Sequence, residues 1–249
     1  MNGKTLRNSL RGVKRSLSKI WNRIYLPDLS RNYMDSGIPE KQRKYVDDEL
    51  RLMYDGKTPS HFIALQKAFE PIASSRSEKN GASVRLLDAG CASGYYNEVI
   101  AHLVDIDIEY HGTDFNPSML RMAREKYPGL NFSRMDLRHL AWRDGDFDVV
   151  LSGAVIEHIK EWKRAVGEIA RVSKEWVVMH RALVCLKGAT FTRSERHYDV
   201  DVYRTYIREK DLLDEFGSHG FEYISKFAVY DKGHDSDIDI FTYLFRRKR

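Results

Sequence analysis

The sequence predicts an α/β fold built on a doubly wound parallel sheet, and three observations carry that prediction. Val84-Arg85-Leu86-Leu87 is a mostly apolar run that passes through Asp88 into Gly90 and Gly94, as a buried strand entering a glycine loop would. Tyr95 to Val104 then places apolar side chains at helical spacing, so the loop is a strand-to-helix turn. Beyond it, strand and helix patterns keep alternating, the signature of a parallel sheet covered on both faces.

The elements follow in order. Helical patterns run over Pro39 to Tyr54 and Pro59 to Ala73, and the Ser-, Lys-, Asn- and Gly-containing stretch Ser74 to Ser83 reads as a connector. After the glycine loop, Ile106 to Thr113 is a second strand ending at Asp114, and Pro117 to Lys126 is a helix with Asn116 as its N-cap and Pro at its first position. Asn131 to Met135, Asp146 to Leu151 and Trp176 to Leu183 are the next strands, with a helix over Ile156 to Val172 between the last two. A helix over Arg208 to His219 precedes two β-rich runs, Phe221 to Tyr230 and Ile238 to Phe245, which residues 231–235 join into an antiparallel hairpin. The expected organisation is a basic helix over 1–26, a helical extension and connector over 27–83, and one α/β domain over 84–249.

The glycine loop brings backbone N–H groups to a helix N-terminus, where glycine tolerates positive φ and lets a ligand approach the main chain. Asp114, at the tip of the second strand and twenty residues beyond Gly94, is placed to accept two hydrogen bonds from a ribose. A dinucleotide fingerprint needs three glycines to seat a pyrophosphate, whereas here Ala92 occupies the middle position. Asp88 would face that pyrophosphate with like charge and better suits an amino group or a sulfonium.

With these residues the chain resembles the class I S-adenosylmethionine-dependent methyltransferases, whose first motif is an acid-x-Gly-x-x-x-Gly loop. GTDFNPSML (Gly112 to Leu120) resembles the family's second motif, which implies Asp114 on the ribose, Phe115 beside the adenine and Asn116 next to them. RMDL (Arg134 to Leu137) resembles the third, implying that Asp136 meets the adenine amino group and that Met135 and Leu137 line the same site. DFDVVLSGAVIEHI (Asp146 to Ile159) is similar to the fourth strand and following turn of UbiE-like small-molecule enzymes, and adds Ser152 to the cofactor side. Together with Asp88, Gly90, Cys91, Ala92 and Gly94 these residues form the implied S-adenosylmethionine site in a Rossmann-like sheet with a terminal antiparallel β-hairpin. Cys91 reads as a small loop residue, since no base is fixed beside it.

At 249 residues and 42% hydrophobic content, the chain can bury one sizeable core. No apolar stretch is long enough for a membrane span and no apolar h-region marks a secretory signal. Cys91 and Cys185 stand far apart without metal-like spacing, so no metal is expected and a reducing, cytoplasmic location is. Residues 1–26 hold seven cations and no acid, leaving the rest of a chain of net charge +5 slightly acidic. There Leu6, Leu10, Val13, Leu17, Ile20 and Ile24 make an apolar stripe on a cationic helix, which suits an anionic membrane surface, a contact with the core or a second copy, or a cleaved presequence. The acidic body argues against nucleic acid as a partner.

Ligands of open α/β sheets lie at the carboxyl ends of the strands, so residues after strands four and five are the acceptor candidates. Glu157, His158, His180 and Arg181 stand there, with either histidine able to assist deprotonation of a hydroxyl and Arg181 able to pair with a phosphate or carboxylate. Residues 186–207 read as an inserted basic and aromatic segment, in which Arg196, Tyr198 and Tyr203 suit a sugar, phosphate or glycan. Together with His180-Arg181 it resembles methyltransferases of bacterial surface-polysaccharide clusters. The runner-up is a quinone, lipid or other small-molecule acceptor, for which the Glu157-His158 motif and the membrane-suited helix also speak, and a non-catalytic cofactor-binding subunit is the reading from another class. Elements before the first strand shape the acceptor pocket in this family, so Tyr33, Tyr54 and His61 are candidates, each with ordinary packing as the alternative.

Overall fold

The computed structural model describes residues 37–77, 83–230 and 237–248. The expected helix over 1–26, Tyr33 and the turn 231–235 lie outside the described residues. In chain order the elements are α1 (Ile38–Tyr54), α2 (Ser60–Ser77), β1 (Val84–Ala89), α3 (Tyr96–Leu103), β2 (Ile108–Asp114), α4 (Pro117–Lys126), β3 (Asn131–Arg134) and β4 (Phe147–Gly153). A 3-10 turn (Ile156–His158) leads to α5 (Trp162–Val172), β5 (Ser173–Cys185), β6 (Phe191–His197), β7 (Val200–Arg208), α6 (Glu209–Ser218), β8 (Phe221–Ala228) and β9 (Ile238–Arg247).

β1 lies at the centre, with β2 and β3 to one side and β4 and β5 to the other, all parallel. β9 runs antiparallel against β5, and β8 pairs with β9, which is the expected terminal hairpin. The strand order reverses between β1 and β4, so the loops leaving their carboxyl ends diverge and open a crevice.

Consecutive apolar residues serve opposite faces of this sheet, as the period of two requires. Leu87, Val150, Val177 and Tyr243 pack with α5 and α6, whereas Leu86, Val149, Val178 and Leu244 pack with α1, α2 and α3. Phe62, Leu65, Ala68, Phe69 and Ile72 of α2 are all fully buried in that second core. The segment expected as a lid and connector thus supplies a layer of the domain itself, and α2 continues through Pro71 to Ser77 rather than ending at Ala73.

Two further expectations change. Ile156 to Val172 is not one helix. The 3-10 turn closes with His158 N to Val155 O at 2.9 Å, and Ile159 is extended before α5 begins. Residues 186–207 form the β6–β7 hairpin rather than an irregular insertion, because their charges and rings pair across the strands. Phe191 stacks on Tyr206 with centroids 4.7 Å apart, Thr192 meets Thr205 at 2.9 Å, and Glu195 holds Arg193 and Arg204. β5 carries a bulge between Met179 and Ala182, with Arg181 at φ +54°, and beyond it pairs in parallel with β7 at Val184↔Ile207. The hairpin therefore stands over the crevice, where the Tyr203 carbonyl meets His158.

The α4 cap forms as read from the sequence, with Asn116 Oδ1 accepting from Ser118 N at 2.8 Å and Met119 N at 3.3 Å. Asn116→Ala should lower unfolding stability by about 1 kcal/mol, measured by urea denaturation.

Candidate active site

The glycine loop is shaped by left-handed backbone. Gly90 and Gly94 have φ of +87° and +77°, and a Cβ on Gly90 would come within 2.5 Å of Val155. Ala92 adopts φ +48° despite its methyl, a conformation that is strained for any residue but glycine. It is held there because its N–H donates to Asp114 Oδ2 at 2.9 Å. Gly90 N and Cys91 N donate to the Thr113 carbonyl at 2.7 and 2.9 Å, and Gly94 N to the Cys91 carbonyl at 2.8 Å. With four of its amides used internally, the loop is a poor phosphate cradle, in keeping with the missing third glycine. Burial, reinforced by Asp88 and Asp114, pushes the Cys91 thiol well above its ordinary value, so it is neutral and packs against Gly112.

Two acids support the loop from below. Asp114 Oδ1 accepts from Asn116 N at 2.8 Å while Oδ2 holds Ala92, and each oxygen retains a lone pair for a ribose hydroxyl. Burial raises its pKa, opposed by the backbone N–H groups of Asn116, Ala92 and Phe115. Asp88 is fully buried, and its Oδ2 accepts from the Tyr110 hydroxyl at 2.6 Å. Burial pushes the Asp88 carboxyl up to about 7, with Tyr110 lowering and Asp114 raising it. Asp88 Oδ1 and the Ser93 hydroxyl are buried without hydrogen-bond partners. An orphaned acceptor and hydroxyl beside a glycine turn fit a polar, cationic ligand such as the aminoacyl end of S-adenosylmethionine.

The remaining cofactor candidates divide. Phe115 is exposed at the rim, and Met135 N donates to the Asp114 carbonyl at 3.1 Å, which brings the third motif beside the second. Leu137 is buried. Asp136 is exposed and is gripped by Arg138 at 2.6 Å, which together with the Arg138 amide holds its carboxyl below the usual range, so an adenine amino group would share it with that arginine. The Ser152 position requires correction, because its hydroxyl is buried and donates to the Ala89 carbonyl at 3.0 Å, a strap between β4 and β1 rather than a ligand surface.

On the acceptor side the structure separates the two histidines. His180 is wholly buried, with Nδ1 2.8 Å from Thr242 Oγ1 and the rings of Tyr96 and His61 around it. Burial, then Arg181 and His61, pushes its pKa well down, so it is neutral and sealed inside the domain, which corrects the expectation of a base there. His158 is partly exposed, and its Nδ1 lies 2.8 Å from the Tyr203 carbonyl. Burial also lowers its pKa, against the raising effect of Glu157. Glu157 is buried, with Oε2 lacking a partner.

Arg181 is half-buried just past the end of β4, within electrostatic reach of Tyr96, Tyr95, Glu49 and Tyr230. Tyr198 sits beside it at the tip of the β6–β7 hairpin, where Lys41 bridges to Asp199 at 2.6 Å and ties the tip to α1. Tyr203 is buried and contributes its carbonyl rather than its ring, while the Arg196 side chain is 67% exposed and reaches only Asp201, at 3.9 Å. Tyr54 donates to Glu98 at 2.8 Å away from this group, whereas His61 joins it through Glu49 at 3.4 Å. The sequence reading missed Glu49, Tyr95, Tyr96 and Tyr230. The tyrosine pair immediately after Gly94 was the one available signal. Two surface hollows around Arg171 and His219 lie by the start of β5, at the opposite end of the strands.

The reversed strand order, the glycine turn beneath it and the acid ending β2 define the class I methyltransferase fold, with its Rossmann-like sheet. Residues 87–176 match the methyltransferase domain family. A probable S-adenosylmethionine-dependent methyltransferase of Mycolicibacterium smegmatis is 32% identical over 87 residues, 35% of this chain and 33% of that protein. The chain thus spans about a third of that relative's length. The demethylmenaquinone methyltransferase of Bacillus cytotoxicus is 27% identical over 167 residues, 56% of this chain and 70% of that protein. Among solved structures, the magnesium protoporphyrin IX methyltransferase of Synechocystis with bound S-adenosylmethionine shares the fold, at a TM-score of 0.59 and 16% identity over 90% of this chain and 99% of that one.

The raised Asp88 pKa has a signed consequence for stability. A carboxyl shifted from 3.8 in the unfolded chain to about 7 in the fold stabilises fully below 3.8 and loses that contribution as pH rises through 7. The stability of Asp88→Asn relative to the natural protein should therefore increase from pH 4 to pH 7, as read by urea unfolding at both values.

Proposed function

We propose that the protein transfers a methyl group from S-adenosylmethionine to an oxygen of a small polar acceptor, with glycans as the favoured class. The observation that carries this is the left-handed glycine turn locked to Asp114 at the mouth of the β1/β4 crevice. When bound, S-adenosylmethionine supplies a methyl group already activated on a sulfonium. Asp114 would hold the ribose, Phe115 the adenine face, and Asp88 with Ser93 the aminoacyl end. The chain's remaining task is to orient the acceptor and take its proton.

His158 suits the second part. A carbonyl can only accept, so His158 Nδ1 carries the proton it donates to Tyr203, and the lone pair resides on Nε2. Its lowered pKa keeps the ring neutral and able to accept a proton at pH 7. Glu157 is then a neighbour whose charge stabilises the imidazolium as it forms. The paired hairpin and α1 supply walls that exclude water around an acceptor.

A quinone or lipid acceptor is the second reading, favoured by the likeness to a demethylmenaquinone methyltransferase over more than half of the chain. A cytoplasmic enzyme resting on the inner face of a membrane through residues 1–26 would serve either acceptor. A cofactor-binding subunit without activity of its own would bind the cofactor and transfer nothing.

Calorimetric titration with S-adenosylhomocysteine should show micromolar or tighter binding, which Asp114→Ala weakens by about 1–3 kcal/mol. Absence of binding by the natural protein would defeat the proposal. Once an acceptor is found, His158→Gln should lower kcat by roughly 100- to 10,000-fold with unchanged S-adenosylhomocysteine affinity. The acid limb of the natural enzyme's kcat profile should lie below the ordinary histidine value of 6.5.

A further inference from the structure

We infer that Arg181 anchors an oxyanion, a carboxylate or a phosphate, carried by the methyl acceptor. This rests on the methyl-transfer reading of the same crevice.

Arg181 follows the last paired residues of β4 and β5, Gly153↔His180, and Ala154 N donates to the His180 carbonyl at 2.9 Å. It therefore stands where the two strands part, opposite Ala154 on the β4 side, the residue that leads into the turn carrying Glu157 and His158. Its φ of +54° interrupts β5, a strained conformation for a side chain of this size, and such strain persists only where the surroundings impose it.

The charge around Arg181 is unbalanced. No carboxylate lies within 4 Å of its guanidinium among the described residues, although other arginines of the domain are matched. Arg171 holds Glu168 and Asp144, Arg138 holds Asp136 and Glu161, and Arg43 holds Asp47. The groups acting on Arg181 are instead the phenols Tyr96, Tyr95 and Tyr230, together with Glu49. Glu49 is directed to His61 at 3.4 Å, and His61 and His180 bring no negative charge. Tyr96, Tyr95, Glu49 and Tyr230 favour the charged guanidinium against its desolvation, but none of them forms a carboxylate fork on it, which leaves that position to a ligand. A planar five-donor fork is suited to two parallel bonds to a carboxylate or phosphate. Tyr95 and Tyr96, with ring centroids 4.2 Å apart, form a buried aromatic pair beside the guanidinium.

The test is calorimetric binding of benzoate, phenyl phosphate and neutral benzamide to the full chain, with and without S-adenosylhomocysteine. At least one anion should bind tenfold or more tightly than benzamide, and the preferred one distinguishes carboxylate from phosphate. Arg181→Gln should abolish the preference and Arg181→Lys should keep part of it, both with S-adenosylhomocysteine affinity unchanged. Equal binding of benzamide and both anions to the natural protein would overturn the inference, and that comparison does not depend on either variant folding. So would an anion preference that survives in Arg181→Gln. Failure to bind S-adenosylhomocysteine would sink the methyl-transfer reading separately, because the anion measurements are also made without it.

Discussion

The Asp114 carboxylate is the constraint on which the site depends. One oxygen fixes Ala92 in a left-handed conformation and the other fixes Asn116, whose own side chain caps α4. A single buried acid at the end of β2 thus joins the helix start that follows it to the glycine loop after β1, which is remote in sequence. Charge-assisted bonds to backbone N–H groups are stronger than neutral ones, and here they oppose, in part, the desolvation that raises the Asp114 pKa. Asp88 adds a second acid under the same loop, pushed toward neutrality by burial and by Asp114 against the opposing bond from the Tyr110 hydroxyl. The loop and the two acids beneath it are therefore held in place by the protein's own hydrogen bonds.

The acceptor side is built by a different device. The bulge at Arg181 ends the regular pairing of β5 with β4 and lets the strand continue against β7. The hairpin that follows carries its own polar partners, so it stands over the crevice without needing the core to satisfy it. Its carbonyl at Tyr203 sets the His158 tautomer, and its tip meets α1 through Lys41 and Asp199. That ion pair is exposed and contributes little stability, so its effect is on position.

Much of this was legible in the sequence, because it depends on local rules. The apolar run before Asp88, the glycines at 90 and 94, the Asn116-Pro117 helix start and the alternating strand and helix patterns each have a short-range physical cause, and each element forms close to its expected limits. Asp114 was legible for the same reason, since a strand's last residue must lie at the sheet's carboxyl edge. The β6–β7 hairpin was not, because its charged and aromatic residues read as a solvated segment until their cross-strand partners are known. The same holds for the turn at 156–158, where helical spacing continues through residues that the chain uses to change direction.

The sequence by itself determined the fold class, the glycine loop and the placing of Asp114 at the end of its strand, since these follow from residue type and spacing. Only the tertiary structure decided which polar side chains remain available. Burial removed His180 and Ser152 from the ligand surface, a carbonyl from a distant strand fixed the proton on His158, α1 brought Glu49 to Arg181, and α2 brought His61 to His180. Desolvation and hydrogen bonding depend on neighbours that are far away along the chain, and no local pattern encodes them.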